Sequence, residues 1–243
     1  MITDPQSGTR IDEVADGIYR ISTPVSAEVV PGGFTFNQYL VVDDEPLLFH
    51  TGQHRLFPSV SGAIARVMPV ESLRYVGLSH YEADECGALN DFLAVAPRAV
   101  AVCSQVAAMT SVDETAPRPA RALADGDLLR LGRHSVRWFD TPHVPHGWEC
   151  GFLFEASTST LLCGDLFTQF GDNPEPLTEA DILGPSEASR AVMDYYAHAP
   201  HTRSVLERLA AEKPKTLACM HGSAFRGDGA ALLRGLADAL EKR

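Results

Sequence analysis

Four segments spread over most of the chain share one arrangement, an apolar run of strand character that ends on side chains able to bind a metal ion. LRYVGL (73–78) is followed by His80, Glu82 and Asp84; SVRWFD (135–140) by His143 and His146; STLLCG (159–164) by Asp165; and KTLACM (215–220) by His221. Strands of a common sheet end along one rim, so residues this far apart in sequence meet only in a fold that lays those strands side by side. Singly, each residue has an ordinary reading: a hydrogen-bonded His at a strand end, a turn or cap for Asp165, a solvated acidic loop for Glu82 and Asp84. Jointly they demand more, because no Lys or Arg occurs between positions 75 and 97 to neutralise the acids. Even partly buried, such carboxylates need a counter-charge, and a bound cation supplies it.

Composition bounds the rest. A chain of 243 residues with 45% hydrophobic content buries a large core, and without a linker-like segment a single domain over 1–243 is expected, with two closely packed halves also open. The formal net charge of -12 argues against a phosphate backbone or an anionic membrane as partner, so neither nucleic acid nor membrane is expected. The N-terminal MITDPQSGTRIDEV has no basic cap and no apolar core of a signal peptide, which predicts a cytoplasmic protein. Five cysteines without a C-x-x-C pair fit reduced thiols, mostly small core residues, with Cys86 inside the acidic stretch.

Patterning predicts a β-meander at 17–23, 36–42 and 46–51, then a helix over 56–67 and the strand at 73–78. HYEADEC reads as an irregular loop. A helix at 87–96 stopped by Pro97, a buried strand at 99–103 and a helix at 104–112 capped by Ser104 continue the alternation. DLLRL with SVRWFD, and GFLFE with STLLCG, read as antiparallel pairs. After a polar, Pro-rich loop at 171–186 come helices at 185–197 and 202–212, a strand at 215–220 and a helix at 228–242. An α+β arrangement of two mixed sheets with helices outside is the economical packing.

With these residues in place, the chain resembles the metallo-β-lactamase superfamily, and within it the diiron branch of flavodiiron proteins and stand-alone oxygen-binding diiron proteins. Hydrolytic zinc members carry H-x-H-x-D-H, whereas HYEADE has Glu82 at the second His, and H-x-E-x-D is the form of the diiron branch. The resemblance runs from NQYLVV to the last helix and implies a four-layer αββα sandwich. It further implies one iron held by His80, Glu82 and His146, another by Asp84 and His221, and Asp165 bridging both. Three imidazoles and three carboxylates suit iron or manganese, without excluding zinc.

The departures from the family pattern define the open positions. Glu85 stands where many relatives have His and is read as an acceptor beside the ligands, with direct ligation or a plain acidic neighbour as the other options. His146 is preferred to His143 as ligand, leaving His143 as a pocket donor with Trp148, Phe167 and Phe170 around the open face. Relatives often have Asp near the position of His50, and His50 with His54 reads as a hydrogen-bonding pair at a strand end or as pocket residues. No phosphate loop of a flavodoxin domain is evident, so no flavin is expected on this chain alone, and electrons would come from a separate flavoprotein or ferredoxin-like donor. The resemblance therefore implies a dinuclear non-haem iron protein that binds and reduces O2 or NO, as a homodimer. The alternatives are a dinuclear zinc hydrolase of esters, thioesters or phosphodiesters, and a non-catalytic O2 sensor. Arg118, Arg121 and Lys215 are the cations that could serve an anionic hydrolase substrate.

Overall fold

The computed structural model describes residues 1–242. Its first sheet holds eight strands in sequence order: β1 Ile2–Asp4, β2 Thr9–Ala15, β3 Ile18–Val25, β4 Phe34–Val41, β5 Leu47–Phe49, β6 Tyr75–Gly77, β7 Val100–Ser104 and β8 Arg121–Leu123. The β1–β5 half is antiparallel and the β5–β8 half parallel. The switch follows from the connections, short turns in the first half and crossovers through α1 (Phe57–Ile64), α2 (Ala83–Cys86) and α3 (Leu89–Val95) in the second.

The second sheet has seven strands: β9 Leu128–Arg130, β10 Ser135–Asp140, β11 Gly151–Glu155, β12 Thr160–Leu162, β13 Leu177–Thr178, β14 Thr216–Ala218 and β15 Ala224–Arg226, in the spatial order 13-15-14-12-11-10-9. Three further helices, α4 Leu183–Val192, α5 Thr202–Ala211 and α6 Gly229–Glu241, belong to its half of the chain. Three apolar layers hold the stack together. One core, including Tyr39, Phe49, Trp138 and Leu153, lies between the sheets; a second joins α1 and α3 to the first sheet, and a third joins α5 and α6 to the second. This is the expected four-layer αββα sandwich. Trp138 is fully buried, and Gly151 makes room for it, since a Cβ there would lie 2.0 Å from the indole.

The differences from the sequence reading have local causes. HYEADEC is not irregular: Glu82 is extended and the next four residues close a helical turn, α2. The helix expected over 185–197 spans Leu183–Val192, because Met193 turns extended at φ −136 and ψ 96. The loop at 171–186 contains β13, a two-residue strand paired with β15 and too short to leave an alternation. The N-terminal strands β1 and β2 and the short β8 and β15 were also not expected. The helix capped by Ser104 is present, its Oγ accepting from Ala107 N, and continues through a π-helical stretch at Ala108–Val112. Asp228 likewise caps α6 by accepting from Ala231 N.

The four ligand-bearing segments meet at one end of the sandwich, although not on one sheet. His80 follows β6 of the first sheet, while His146, Asp165 and His221 follow β10, β12 and β14 of the second. Those three strands run in the same direction, β10 and β12 each antiparallel to β11 and β14 parallel to β12, so they deliver their residues to the same edge. Among the described residues, no helix is long and apolar enough to cross a membrane.

Candidate metal centre

The backbone places each group by a distinct device. Glu82 is the extended residue before α2 and makes no side-chain cap, so its carboxylate stays available, while Asp84 and Glu85 occupy the first turn. The segment bearing His221 is held by its carbonyls. Asn37 Nδ2 donates to Cys219 O at 3.0 Å and Gly222 O at 2.9 Å, Tyr39 Oη donates to Cys219 O at 2.8 Å, and Arg20 Nη2 donates to Gly222 O at 2.7 Å. A buried polar patch on β3 and β4 thus anchors the end of β14.

All six sequence-derived residues converge. His80 Nε2 is 3.1 Å from His146 Nε2, 3.7 Å from Glu82 Oε1 and 3.5 Å from Asp165 Oδ2. His146 Nε2 lies 3.3 Å from Glu82 Oε1 and 3.4 Å from Asp165 Oδ2. On the other side, His221 Nε2 is 3.3 Å from Asp165 Oδ1 and 3.7 Å from Asp84 Oδ2. Donors bound at about 2.0–2.2 Å to a common ion stand about 3–4 Å apart, which is the spacing found here.

The imidazole orientations fit cation binding as well. His146 Nδ1 donates to Tyr195 O at 2.9 Å and His221 Nδ1 to Thr35 O at 2.8 Å. A carbonyl only accepts, so both protons sit on Nδ1 in the neutral rings and both Nε2 lone pairs face the cluster. Burial opposes charge on His146, but Glu82 and Asp165 outweigh it and raise this imidazole to about 9 without a metal. His221 is raised in the same sense against its burial, chiefly by Asp165, and Asp165 itself is held well below the carboxylate range by His221, His80 and His146 despite complete burial.

Glu85 departs from the acceptor role expected of it. It is fully buried, both carboxylate oxygens lack a hydrogen-bond partner, and Oε2 lies 3.8 Å from His80 Nε2. Burial and the nearby Asp165 and Asp84 push its carboxyl well above the normal range. Two groups of donor atoms within 4.8 Å of one another have the composition of metal sites, His80–His146–Asp165 and His80–Glu82–Glu85.

The pocket assignments divide. Phe170 lines the cleft of about 430 Å3 above the cluster, whereas Phe167 is buried in the second sheet's outer core. Trp148 is 59% exposed and does not line that cleft; the turn after β10 points it outward. His143 is exposed and faces His201, with ring centroids 6.1 Å apart, so it is not a pocket donor. His54 is exposed and pairs with Asp91 at 2.6 Å. His50 is buried, bonded to Ser79. Arg118 binds the carbonyls of Leu93 and Pro97 and Arg121 sits over Tyr75, so neither enters the cleft, and Lys215 precedes β14 at the end opposite His221. Phe34, stacked on His221 at 4.2 Å, and Tyr195, which holds His146, escaped the sequence reading, since nothing local ties either residue to a His far along the chain.

Comparison with known proteins agrees with this fold. Rubredoxin-oxygen oxidoreductase of Megalodesulfovibrio gigas is 29% identical over 208 residues, covering 81% of this chain and 50% of the relative. The solved structure of rubredoxin oxygen:oxidoreductase from Desulfovibrio gigas superposes with a TM-score of 0.83 at 23% identity, over 96% of this chain and 62% of that one. A metal-soaked flavodiiron core from Synechocystis gives a TM-score of 0.79 at 22% identity, over 96% and 61%. The chain thus spans about half the length of the curated relative it matches. The family described as ODP family beta lactamase matches residues 34–222, a span that contains every residue of the cluster. The chain belongs to the ODP family of beta lactamases.

Proposed function

We propose that this chain is a dinuclear non-haem iron protein that binds and reduces O2, with NO as the second diatomic the same cleft accepts. His80, Glu82 and His146 would hold one ion, Asp84 and His221 the other, and Asp165 both, with Glu85 as a further carboxylate donor. The observation that carries this reading is the orphaned acid: among the described residues Glu85 is fully buried with neither oxygen hydrogen-bonded, and Asp165 Oδ1 faces only His221 Nε2, at 3.3 Å. A buried carboxylate without a donor is costly, and a cation at the centre of this set removes the cost. When bound, a ferrous pair supplies two electrons and open coordination positions for a diatomic molecule.

The protein's own contributions are positional. The carbonyls of Tyr195 and Thr35 keep His146 and His221 aimed inward. Phe34, Phe36, Phe170 and Met193 form an apolar wall that favours a small neutral ligand over water. Among the described residues no Lys or Arg lines the cleft, which weighs against the anionic substrates of a phosphodiester hydrolase. Electrons would come from a donor outside residues 1–243, a flavoprotein or a ferredoxin-like protein.

Anaerobic purification with metal analysis, followed by O2 and NO uptake with a chemical reductant, tests the proposal. About two irons per chain and reductant-dependent consumption of either gas support it. Two zinc ions with ester hydrolysis and no gas uptake point to the hydrolase. Iron with reversible O2 binding and no turnover points to a sensor.

A further inference from the structure

His50 has a site-directed arrangement that the ligand set does not explain. It sits one residue beyond β5 at φ +66, a left-handed conformation disfavoured for any residue with a Cβ, and it is fully buried without a charged hydrogen-bond partner. Its backbone N donates to Gly77 O at 2.8 Å, fixing it beside the strand that leads to His80.

The neighbours of the His50 ring favour one tautomer. Ser79 N–H points at His50 Nε2 at 3.3 Å, so that nitrogen accepts. His50 Nδ1 faces Met220 Sδ, and a thioether can only accept, so Nδ1 donates. Both neighbours select the same neutral tautomer. Ser79 Oγ then lies 2.9 Å from His50 Nε2 and 2.9 Å from His80 Nδ1, with one proton to place. Given to His50 Nε2, whose single lone pair it shares with the longer contact from Ser79 N–H, that proton leaves only oxygen lone pairs for His80, and His80 Nδ1 donates.

We infer that His50 is a positioning residue for the metal centre: acting through Ser79, it keeps the His80 proton on Nδ1 and so leaves Nε2 free for a cation. This inference rests on the metal-centre reading above. His146 and His221 obtain the same orientation from backbone carbonyls, whereas His80 faces a hydroxyl, which could donate as readily as accept. His50 removes that freedom. An apolar residue at position 50 would release the Ser79 proton toward His80 Nδ1 and move the His80 proton to Nε2, where it blocks ligation.

The test uses 15N-imidazole NMR of the metal-free chain at pH 8.5, with anaerobic Fe(II) titrations of the same samples. In the wild type, His80 and His50 are expected to carry their protons on Nδ1. His50→Leu and Ser79→Ala should shift the His80 proton toward Nε2 and weaken one of two bound ions by roughly 10–100-fold, leaving the other within about threefold. His50→Gln, whose amide oxygen can still accept from Ser79, should restore both readouts, and Ser79→Ala covers the case in which His50→Leu does not fold. His80 protonated on Nε2 in the wild type, or a tautomer and affinities untouched by the substitutions, overturns the inference. Fewer than two ions in the wild type with the Nδ1 pattern intact overturns the metal-centre reading and still supports the role of His50 in fixing the tautomer.

Discussion

Asp165 Oδ1 lies 3.3 Å from His221 Nε2, on the far oxygen of the same carboxylate whose Oδ2 serves His80 and His146 at 3.5 and 3.4 Å. One short side chain after β12 therefore couples the His80–His146 group to His221, joining residues that follow strands of both sheets. Asp165→Asn keeps the volume and removes the charge. It is expected to weaken both ions by roughly 100-fold, where loss of a ligand serving one ion would weaken mainly that ion. Stepwise Fe(II) titration followed by equilibrium dialysis measures both affinities.

Glu85 gives a prediction of opposite signs in two states. With no cation, burial and the neighbouring Asp165 and Asp84 force Glu85 to stay protonated, and Glu85→Gln removes that cost, so the metal-free protein should gain on the order of 1–2 kcal/mol and a few degrees in Tm. With Fe(II) present the ranking should reverse, because the amide has lost the charge that offsets the ion. Calorimetry of both forms with and without metal decides it, and a variant less stable in both states would argue that Glu85 serves packing alone.

Asn37 tests whether the His221 segment is held from the first sheet. Its Nδ2 satisfies the carbonyls of Cys219 and Gly222. Asn37→Ala removes one of two donors from each, since Tyr39 Oη still reaches Cys219 O and Arg20 Nη2 still reaches Gly222 O, so it should cost about 1–2 kcal/mol and weaken the ion at the His221 end by roughly tenfold while sparing the other. Denaturant unfolding and metal titration report the two effects separately.

Glu155, remote from the centre, predicts the acid limit of the fold. Burial raises its carboxyl, but hydrogen bonds from Ser157 and Thr158 outweigh it and hold the group at about 2, against 4.5 unperturbed. The folded-state pKa is the lower one, so this stabilisation is complete above pH 4.5 and is lost as pH falls toward 2. Glu155→Gln should be less stable at pH 7 by on the order of 2 kcal/mol, with the gap to wild type closing across that window. Unfolding midpoints measured from pH 7 to pH 2 check the slope.

The ligand residues were legible because each sits just beyond an apolar run, and a strand end followed by His or Asp is a local signal. The orphaned state of Glu85 was not, since it depends on which donors fail to reach it. Trp148 and His143 were misjudged because proximity to His146 in sequence says nothing about which way a turn after β10 points its side chains. Tyr195 was hidden because the patterning carried a helix through 197, whereas the helix stops at Val192 and the extended backbone from Met193 brings the Tyr195 carbonyl to His146. The short strands β1, β8, β13 and β15 span two or three residues and are stabilised by pairing rather than pattern, so no alternation announces them.

The most direct test of the account is the metal content of anaerobically purified chain, read with its absorption spectrum before and after O2 is admitted. Two irons per chain, with a spectral change on exposure that is lost in Asp165→Asn, is the predicted result. A chain that takes up fewer than two metal ions when iron is supplied, or that fills with zinc and stays spectrally silent, would contradict it.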